Sequence, residues 1–151
     1  MNQRPPGPTA RLTMITLGVS NMRASIAFYE ALGFVRKFRA TGEVVAFFDT
    51  GGTAIGLFPW DQLAQDVTLP ERPRPQAFRG MTLAWNCRSA KEVDEVIEFA
   101  VSKGAQRLKP SHMTDYGGYS GYFTDPDGHP WEAVVAPNIE VGEDRRVHLP
   151  D

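Results

Sequence analysis

The spacing of apolar positions changes along the chain, and each change predicts the start of a new element. Residues 12–19, LTMITLGV, alternate in the manner of a strand and are rich in β-forming side chains. In residues 22–32, MRASIAFYEAL, apolar side chains recur at the helical period. Ser20 or Asn21 can cap this helix, and Gly33 suits the left-handed residue that follows a helix. The chain therefore opens with a strand and an amphipathic helix.

Three short β-like runs follow at 34–40, 43–49 and 53–58, and glycine-containing dipeptides separate them as hairpin turns. Pro59 has the backbone angle that a first helical turn needs, so it predicts a short helix over 60–67. The first half thus has the order βαβββ, with a short helix appended.

The second half repeats this order after a break. Residues 67–79 hold three prolines and few apolar side chains, which indicates a linker. A strand-like run at 80–87 precedes Ser89 and Glu92, whose spacing predicts a capping box, and Gly104 ends the helix that follows. The face of this helix expected to be buried comprises Val93, Val96, Ile97, Ala100 and Val101.

Three further β-like runs, 105–114, 119–124 and 130–137, complete a second βαβββ unit. The halves match in detail, since FFDTGGTAIGLFP in the first corresponds to YFTDPDGHPWEAVVAP in the second. Each unit alone would leave one face of its sheet bare, so pairing two units encloses a cavity. We predict an α+β fold of two tandem βαβββ modules that form a cup-shaped, mostly antiparallel sheet with helices outside. The predicted boundaries are a flexible arm at 1–11, a first module at 12–66, a linker at 67–79, a second module at 80–137 and a polar tail at 138–151.

Composition and charge exclude several kinds of function. The net charge is −2, and the chain has neither a Gly-rich phosphate loop nor a basic stripe, which argues against nucleotide and nucleic-acid binding. No apolar run approaches the length of a membrane span, and the first residues lack the apolar segment of a secretion signal. The single cysteine, Cys87, can form no disulfide within the chain, which favours a reducing compartment. We therefore expect a cytoplasmic protein that has no membrane partner.

Two residues are candidates for catalysis. Glu132 lies in an otherwise apolar strand, after the tight turn predicted for DPDG at 125–128, and a carboxylate there is costly unless it has a partner. It is either the remnant of a ligand site, an anchor for a cationic or hydroxylated ligand, or a general base. His112 is the histidine best placed for chemistry, because SHMTDYGGYSGY has the composition of a mobile loop that leads into a strand.

The repeated module opens with ITLGVSNMRASIAFYEALGF and closes with GYFTDPDGHPWEAVV, and it resembles the vicinal oxygen chelate superfamily. That superfamily includes glyoxalase I, the extradiol dioxygenases, fosfomycin-resistance enzymes and bleomycin-resistance proteins. The resemblance covers residues 12–137 and implies the paired modules and a homodimer. It does not select a function, because the superfamily contains both metal enzymes and metal-free binders.

The resemblance also implies where a metal would bind. In the metal enzymes of the superfamily, the ligands come from the first and last strands of each module. These positions fall on Met14, Thr82, Glu132 and either Ala54 or Ile55. Only Glu132 suits a hard divalent metal, since methionine is a soft ligand and the others are poor donors or none. We therefore expect no cofactor, with a divalent metal as the less favoured alternative.

Strand alternation then predicts the lining of the cup. Trp85 and Trp131 fall on the helix-covered face, opposite Thr82 and Glu132. Aromatic residues at strand ends would rim the cup, and they suit a small apolar or aromatic ligand; these are Phe58, Trp60, Tyr116, Tyr119 and Tyr122. The predicted ligand pocket comprises Met14, Thr16, Ala54, Phe58, Thr82, Ala84, Tyr122 and Glu132.

Three functions fit this description. The favoured one is a metal-free small-molecule binding protein of the bleomycin-resistance-like kind. The second is a glyoxalase-like or dioxygenase-like enzyme, a lyase or an oxidoreductase, with a degenerate metal site that uses Glu132 and His112. The third is a structural or regulatory partner of another protein.

Overall fold

The computed structural model describes Gly7 and residues 9–151. Most of the arm expected at 1–11 lies outside the described residues. Within the part of the chain that is described, no helix has the length and apolar character needed to cross a membrane.

The elements of the first module are β1 (Met14–Val19), α1 (Met22–Ala31), β2 (Val35–Lys37), β3 (Ala46–Asp49), β4 (Ala54–Pro59) and α2 (Trp60–Asp66). Its strands form a four-stranded sheet with the order β1-β4-β3-β2. Strand β1 pairs with β4 in parallel, and the other two pairs are antiparallel.

The elements of the second module are β5 (Leu83–Asn86), α3 (Ala90–Ser102), β6 (Gln106–Met113), β7 (Tyr119–Thr124) and β8 (Pro130–Val135). Its sheet repeats the topology of the first in the order β5-β8-β7-β6, with β5 and β8 parallel. The internal repeat and the α+β fold class predicted from the sequence are therefore confirmed.

Local sequence signals explain where the two long helices begin. The Asn21 side chain caps α1 by accepting a hydrogen bond of 3.0 Å from the Ala24 N–H. Ser89 caps α3 by accepting one of 3.1 Å from the Glu92 N–H. The Glu92 carboxylate accepts in return from the Arg88 N–H at 2.6 Å, one residue before the position that a standard capping box uses.

Two segments differ from the sequence-based expectation. The β-like run at 34–40 forms only the short strand β2, because Phe38 has a φ of 49° and starts a 3-10 turn at Arg39–Thr41. The polar tail also contains structure, since β9 (Glu140–Val141) and β10 (Val147–His148) form an antiparallel hairpin.

A single hydrophobic core joins the modules. Leu17 and Leu57 of the first sheet share it with Phe123 and Trp131 of the second. Phe34, which follows α1, packs against Trp131 with ring centroids 5.7 Å apart. Because both sheets turn their core sides towards this cluster, their opposite sides point away from it. We call these opposite sides the outer faces.

The DPDG turn connects the modules through buried polar groups. Oxygen Oδ1 of Asp125 accepts hydrogen bonds of 2.9 Å from the N–H groups of Asp127 and His129, and Gly128 has a φ of 81°. The second carboxylate oxygen of Asp125 accepts 2.8 Å from the Tyr29 hydroxyl, which accepts 3.2 Å from the Trp131 indole N–H. The turn predicted from the sequence is confirmed, and it also anchors β8 to helix α1.

Candidate functional site

Glu132 lies on the outer face of the second sheet. Its neighbours along β8, Trp131 and Ala133, point into the core, and the Glu132 side chain is half-buried. The strand register places Ala84 of β5 on one side of it and Tyr122 of β7 on the other. The structure therefore brings three of the predicted pocket residues together.

A cavity of about 430 Å³ opens beside these residues, and we call it the Glu132 cavity. Its lining is mostly apolar or neutral, and among the residues that the structure describes Glu132 is the only acidic one in that lining. Of the aromatic residues predicted to rim the cup, Tyr116 lines this cavity, and the start of the tail closes one side of it. The lining includes Ala84, Asn86, Tyr116, Glu132, Val134 and Ile139.

The pKa of the Tyr122 hydroxyl is shifted by its surroundings on this face. Burial raises the pKa of the Tyr122 hydroxyl, and the charge and hydrogen bonding of the Glu132 carboxylate raise it further. A smaller contribution comes from Tyr116. Tyr122 therefore stays protonated at neutral pH and can donate a hydrogen bond beside the Glu132 carboxylate.

The first module holds the other half of the predicted pocket. Met14 and Thr16 cover Gly56 on the outer face of the first sheet, where an added Cβ would lie 3.4 Å from the Met14 sulfur and 3.2 Å from the Thr16 hydroxyl. Ala54 is the register partner of Met14, and Phe58 lies two positions beyond Gly56 on the same strand. None of these four pocket candidates lines the Glu132 cavity. Thr82 precedes β5 and is exposed, and it does not line that cavity either.

His112 lies apart from Glu132. It is on β6, opposite Ser120 of β7, and its Nδ1 is 3.2 Å from the carbonyl oxygen of Pro110. It does not line the Glu132 cavity. The structure therefore does not bring together the two catalytic candidates.

Two of the expected rim aromatics have other partners. Trp60 stacks against His129 with centroids 6.1 Å apart, and the guanidinium groups of Arg74 and Arg79 each lie 4.9 Å from its ring centre. Trp60 therefore holds the 67–79 segment, through its two arginines, against His129 of the second module. The Tyr119 hydroxyl donates 2.9 Å to Asp94 of α3, on the core side of the sheet.

A larger cavity, of about 720 Å³, lies between the modules, and sequence reasoning missed it. We call it the inter-module cavity. Its walls include Ile55 of the first module, Leu83 and Trp131 of the second, and Arg145 and Arg146 of the tail. No local pattern in the sequence indicates it, because its walls come from segments that are distant along the chain.

The donors around Glu132 do not fit a divalent metal centre. Its register neighbours are Ala84, which has no donor atom, and Tyr122, which is held protonated. Among the residues that the structure describes, no three His, Cys, Asp or Glu side chains are grouped closely enough to hold a metal ion. Hard divalent ions require several oxygen or nitrogen ligands that converge.

The fold and the cavity define a tandem βαβββ protein with a ligand-sized cleft, and sequence comparison identifies the family. A model of the Glyoxalase/Bleomycin resistance protein/Dioxygenase superfamily matches residues 11–133. The chain belongs to this superfamily.

Individual relatives agree with this assignment. A glyoxalase-related enzyme from Fulvimarina pelagi is 33% identical, with a TM-score of 0.82 over 95% of this chain and 100% of the other. The metallothiol transferase FosB of Lysinibacillus sphaericus (strain C3-41) is 25% identical over 138 residues, which are 89% of this chain and 91% of that protein. A lactoylglutathione lyase from Agrobacterium tumefaciens has a TM-score of 0.64 at 22% identity, covering 85% of this chain and 96% of that one, and shows the shared fold.

Proposed function

We propose that this protein is a metal-free small-molecule binder that holds its ligand against Glu132. The observation that carries the proposal is the composition of the Glu132 cavity. Its lining presents the Glu132 carboxylate on an otherwise apolar or neutral surface, and the protonated phenol of Tyr122 lies beside that carboxylate on the neighbouring strand. A ligand can be oriented by such a pair, whereas a hard metal ion would need further ligands.

The chemistry of the cavity selects a class of ligand. An ammonium group or a hydroxyl would pair with the Glu132 carboxylate, and such charge-assisted hydrogen bonds are stronger than neutral ones. The apolar part of the ligand would lie against Val134, Ile139 and the ring of Tyr116. We infer a small aromatic or apolar ligand that carries a cationic or hydroxyl group.

A second copy of the chain would complete this site. The pocket residues predicted from the two modules lie on outer faces that point away from the shared core. They can line one cavity only if the first module of one copy faces the second module of another. Exposed apolar side chains support this pairing, since Met14 is 40% exposed and Met81 45% exposed. We therefore propose a homodimer in which each ligand contacts both copies.

The ligand class can be tested with one aromatic scaffold that carries different groups. We would measure the melting temperature of the protein with naphthalene derivatives that carry an aminomethyl, a hydroxyl or a sulfonate group. A ligand that binds only the folded state raises the melting temperature. The ammonium compound should stabilise the wild-type protein, and Glu132→Gln should weaken its binding by about tenfold or more, since a charged hydrogen bond is lost.

The control is Glu140→Gln, which removes an exposed carboxylate of the tail and should leave binding unchanged. Equal affinity of wild type and Glu132→Gln for the ammonium compound would contradict the proposed role of Glu132.

Sedimentation analysis tests whether a second copy of the chain completes the site. The wild-type protein should be a dimer, and Met14→Lys should shift it towards monomer and weaken ammonium binding together, because lysine places a charge on the outer face. Lys91→Met, an exchange at an exposed position of α3, is the matched control. A monomer that binds the ammonium compound with full affinity would refute the shared site.

The alternative is a metal-dependent enzyme with a degenerate site. The observation in its favour is that the curated relative that matches most of this chain is named a metallothiol transferase. This alternative requires a metal bound through Glu132 with ligands from another copy, so metal content separates it from the proposed function.

A further inference from the structure

We propose that the inter-module cavity is a second binding site, distinct from the Glu132 cavity, for an organic anion that has an apolar body. The family resemblance places no ligand there. The proposal depends on three features of the cavity: its apolar floor, its cationic mouth and the attachment of the tail that forms part of its wall.

The floor is built from the core sides of both sheets. Ile15 and Ile55 contribute from β1 and β4, and Leu83 and Trp131 from β5 and β8. Phe34 also lines the cavity. A volume of about 720 Å³ lies within the usual range for small-molecule sites. The apolar part of a ligand would be removed from water here on contact with both modules.

The mouth carries three arginines and few acidic groups. Arg88, Arg145 and Arg146 line it together with Glu92. The Glu92 carboxylate is already engaged at the start of α3, where it accepts from the Arg88 N–H at 2.6 Å. The local charge therefore favours an anion over a cation, which is the opposite of the Glu132 cavity.

The arginines hold the tail and retain donors for a ligand. Arg88 uses Nε and Nη2 to donate to the carbonyl oxygens of Val141 and Gly142, at 3.2 and 2.9 Å. Arg146 makes one long hydrogen bond, 3.4 Å from Nε to the Gly51 carbonyl oxygen. Arg145 pairs with Asp49 at 3.8 Å, which is the long end of an ion pair. Each guanidinium has five N–H donors. Arg145 and Arg146 can therefore bind an anionic group and still keep their contacts with Asp49 and Gly51.

Gly51 makes this arrangement sterically possible. An added Cβ at Gly51 would lie 2.8 Å from Arg145 Nε, and the residue has a φ of 92°. The β3–β4 turn thus leaves room for the Arg145 side chain beside Gly51. The tail consequently bridges the modules, from Arg88 of the second to Gly51 of the first, across the mouth of the cavity.

Tryptophan fluorescence provides the test, because Trp85 and Trp131 both line the cavity. We would titrate the full chain with naphthalene-2-sulfonate and with uncharged 2-naphthol. The sulfonate should quench the fluorescence saturably and bind more tightly than 2-naphthol. Its affinity should fall as salt is added, because salt screens the attraction to the arginines. Arg145→Gln combined with Arg146→Gln should weaken sulfonate binding by about tenfold or more, since charged hydrogen bonds are lost.

Three control variants separate charge from structure. Arg145→Lys combined with Arg146→Lys keeps the charge and should recover most of the affinity. Arg107→Gln removes an exposed arginine of β6 that pairs with Glu98 of α3 and does not line the cavity, and it should change nothing. Glu132→Gln should also leave sulfonate binding intact, because that residue lines the other cavity.

The inference is overturned if sulfonate binding is not saturable, if 2-naphthol binds the Glu132→Gln variant as tightly as the sulfonate does, or if the double glutamine variant binds the sulfonate as wild type does. Loss of sulfonate binding in Glu132→Gln would also overturn it by assigning the anion to the Glu132 cavity. Ammonium binding at Glu132 is measured separately, so either site can fail without the other.

Discussion

Replacing Tyr29 by phenylalanine removes one oxygen atom from the contact between the modules. That oxygen donates to the Asp125 carboxylate at 2.8 Å and accepts from the Trp131 indole N–H at 3.2 Å. Tyr29 is fully buried, and Asp125 is 4% exposed. Burial already raises the pKa of the Asp125 carboxyl, and donation from Tyr29 acts in the opposite direction. The substitution therefore leaves the Oδ2 atom of the buried Asp125 carboxylate and the buried Trp131 indole N–H each without this partner, while Oδ1 keeps its two backbone donors.

The expected fall in the free energy of unfolding follows from the loss of these two hydrogen bonds. A hydrogen bond to a charged group contributes about 1.5–3 kcal/mol, and an unpaired buried N–H costs about 1 kcal/mol more. We expect the free energy of unfolding to fall by about 2–4 kcal/mol, which is a large share of the stability of a typical domain. For a chain of this size, the melting temperature should fall by about 5–15 °C.

Urea denaturation followed by circular dichroism measures this effect, with Tyr119→Phe as the matched control. Tyr119 loses a hydrogen bond of 2.9 Å to Asp94 at the surface and should change stability far less. The slope of the unfolding free energy against urea concentration should be the same in the wild type and in Tyr29→Phe if the modules unfold as one unit. If Tyr29→Phe were no more destabilising than Tyr119→Phe, the buried connection between the modules would be refuted.

Three further predictions concern the same structure. Burial raises the pKa of the Cys87 thiol to about 12, so Ellman's reagent should label Cys87 at neutral pH far more slowly in the native protein than in urea. Asp127→Ala removes hydrogen bonds of 2.8 and 2.6 Å from the Ser20 N–H and hydroxyl, and urea denaturation should show a loss of about 1 kcal/mol. Burial also raises the pKa of Tyr29 well above its ordinary value. The folded state therefore keeps a proton that the unfolded chain releases, and stability should fall as the pH rises above about 10, less steeply in Tyr29→Phe.

The elements with strong local signals could be predicted from the sequence. Gly33 and Gly104 follow α1 and α3 with φ angles of 95° and 105°, as their positions after amphipathic runs indicated. Trp131 is buried in the core, as strand alternation opposite Glu132 required. Phe38 was not predictable, because nothing in its sequence context indicates a left-handed backbone at a bulky residue.

The placement of the site could be predicted only in part. Alternation put Met14 and Glu132 on the faces of their sheets opposite the core residues, as the structure has them, but it could not show how those sheets pack together. Both sides of each sheet contain apolar residues, and the relative orientation depends on long-range contacts such as Tyr29 with Asp125. The inter-module cavity was missed for the same reason, since it arises where Leu83 meets residues distant in sequence.

Metal content tests the central proposal most directly. Untagged protein would be equilibrated with nickel, zinc, iron or manganese, dialysed and measured by elemental analysis beside Glu132→Gln. The proposal predicts metal far below one ion per chain in both proteins, with ammonium binding intact in the wild type. One tightly bound ion per chain in the wild type, lost in Glu132→Gln, would contradict it and establish a metal centre at Glu132.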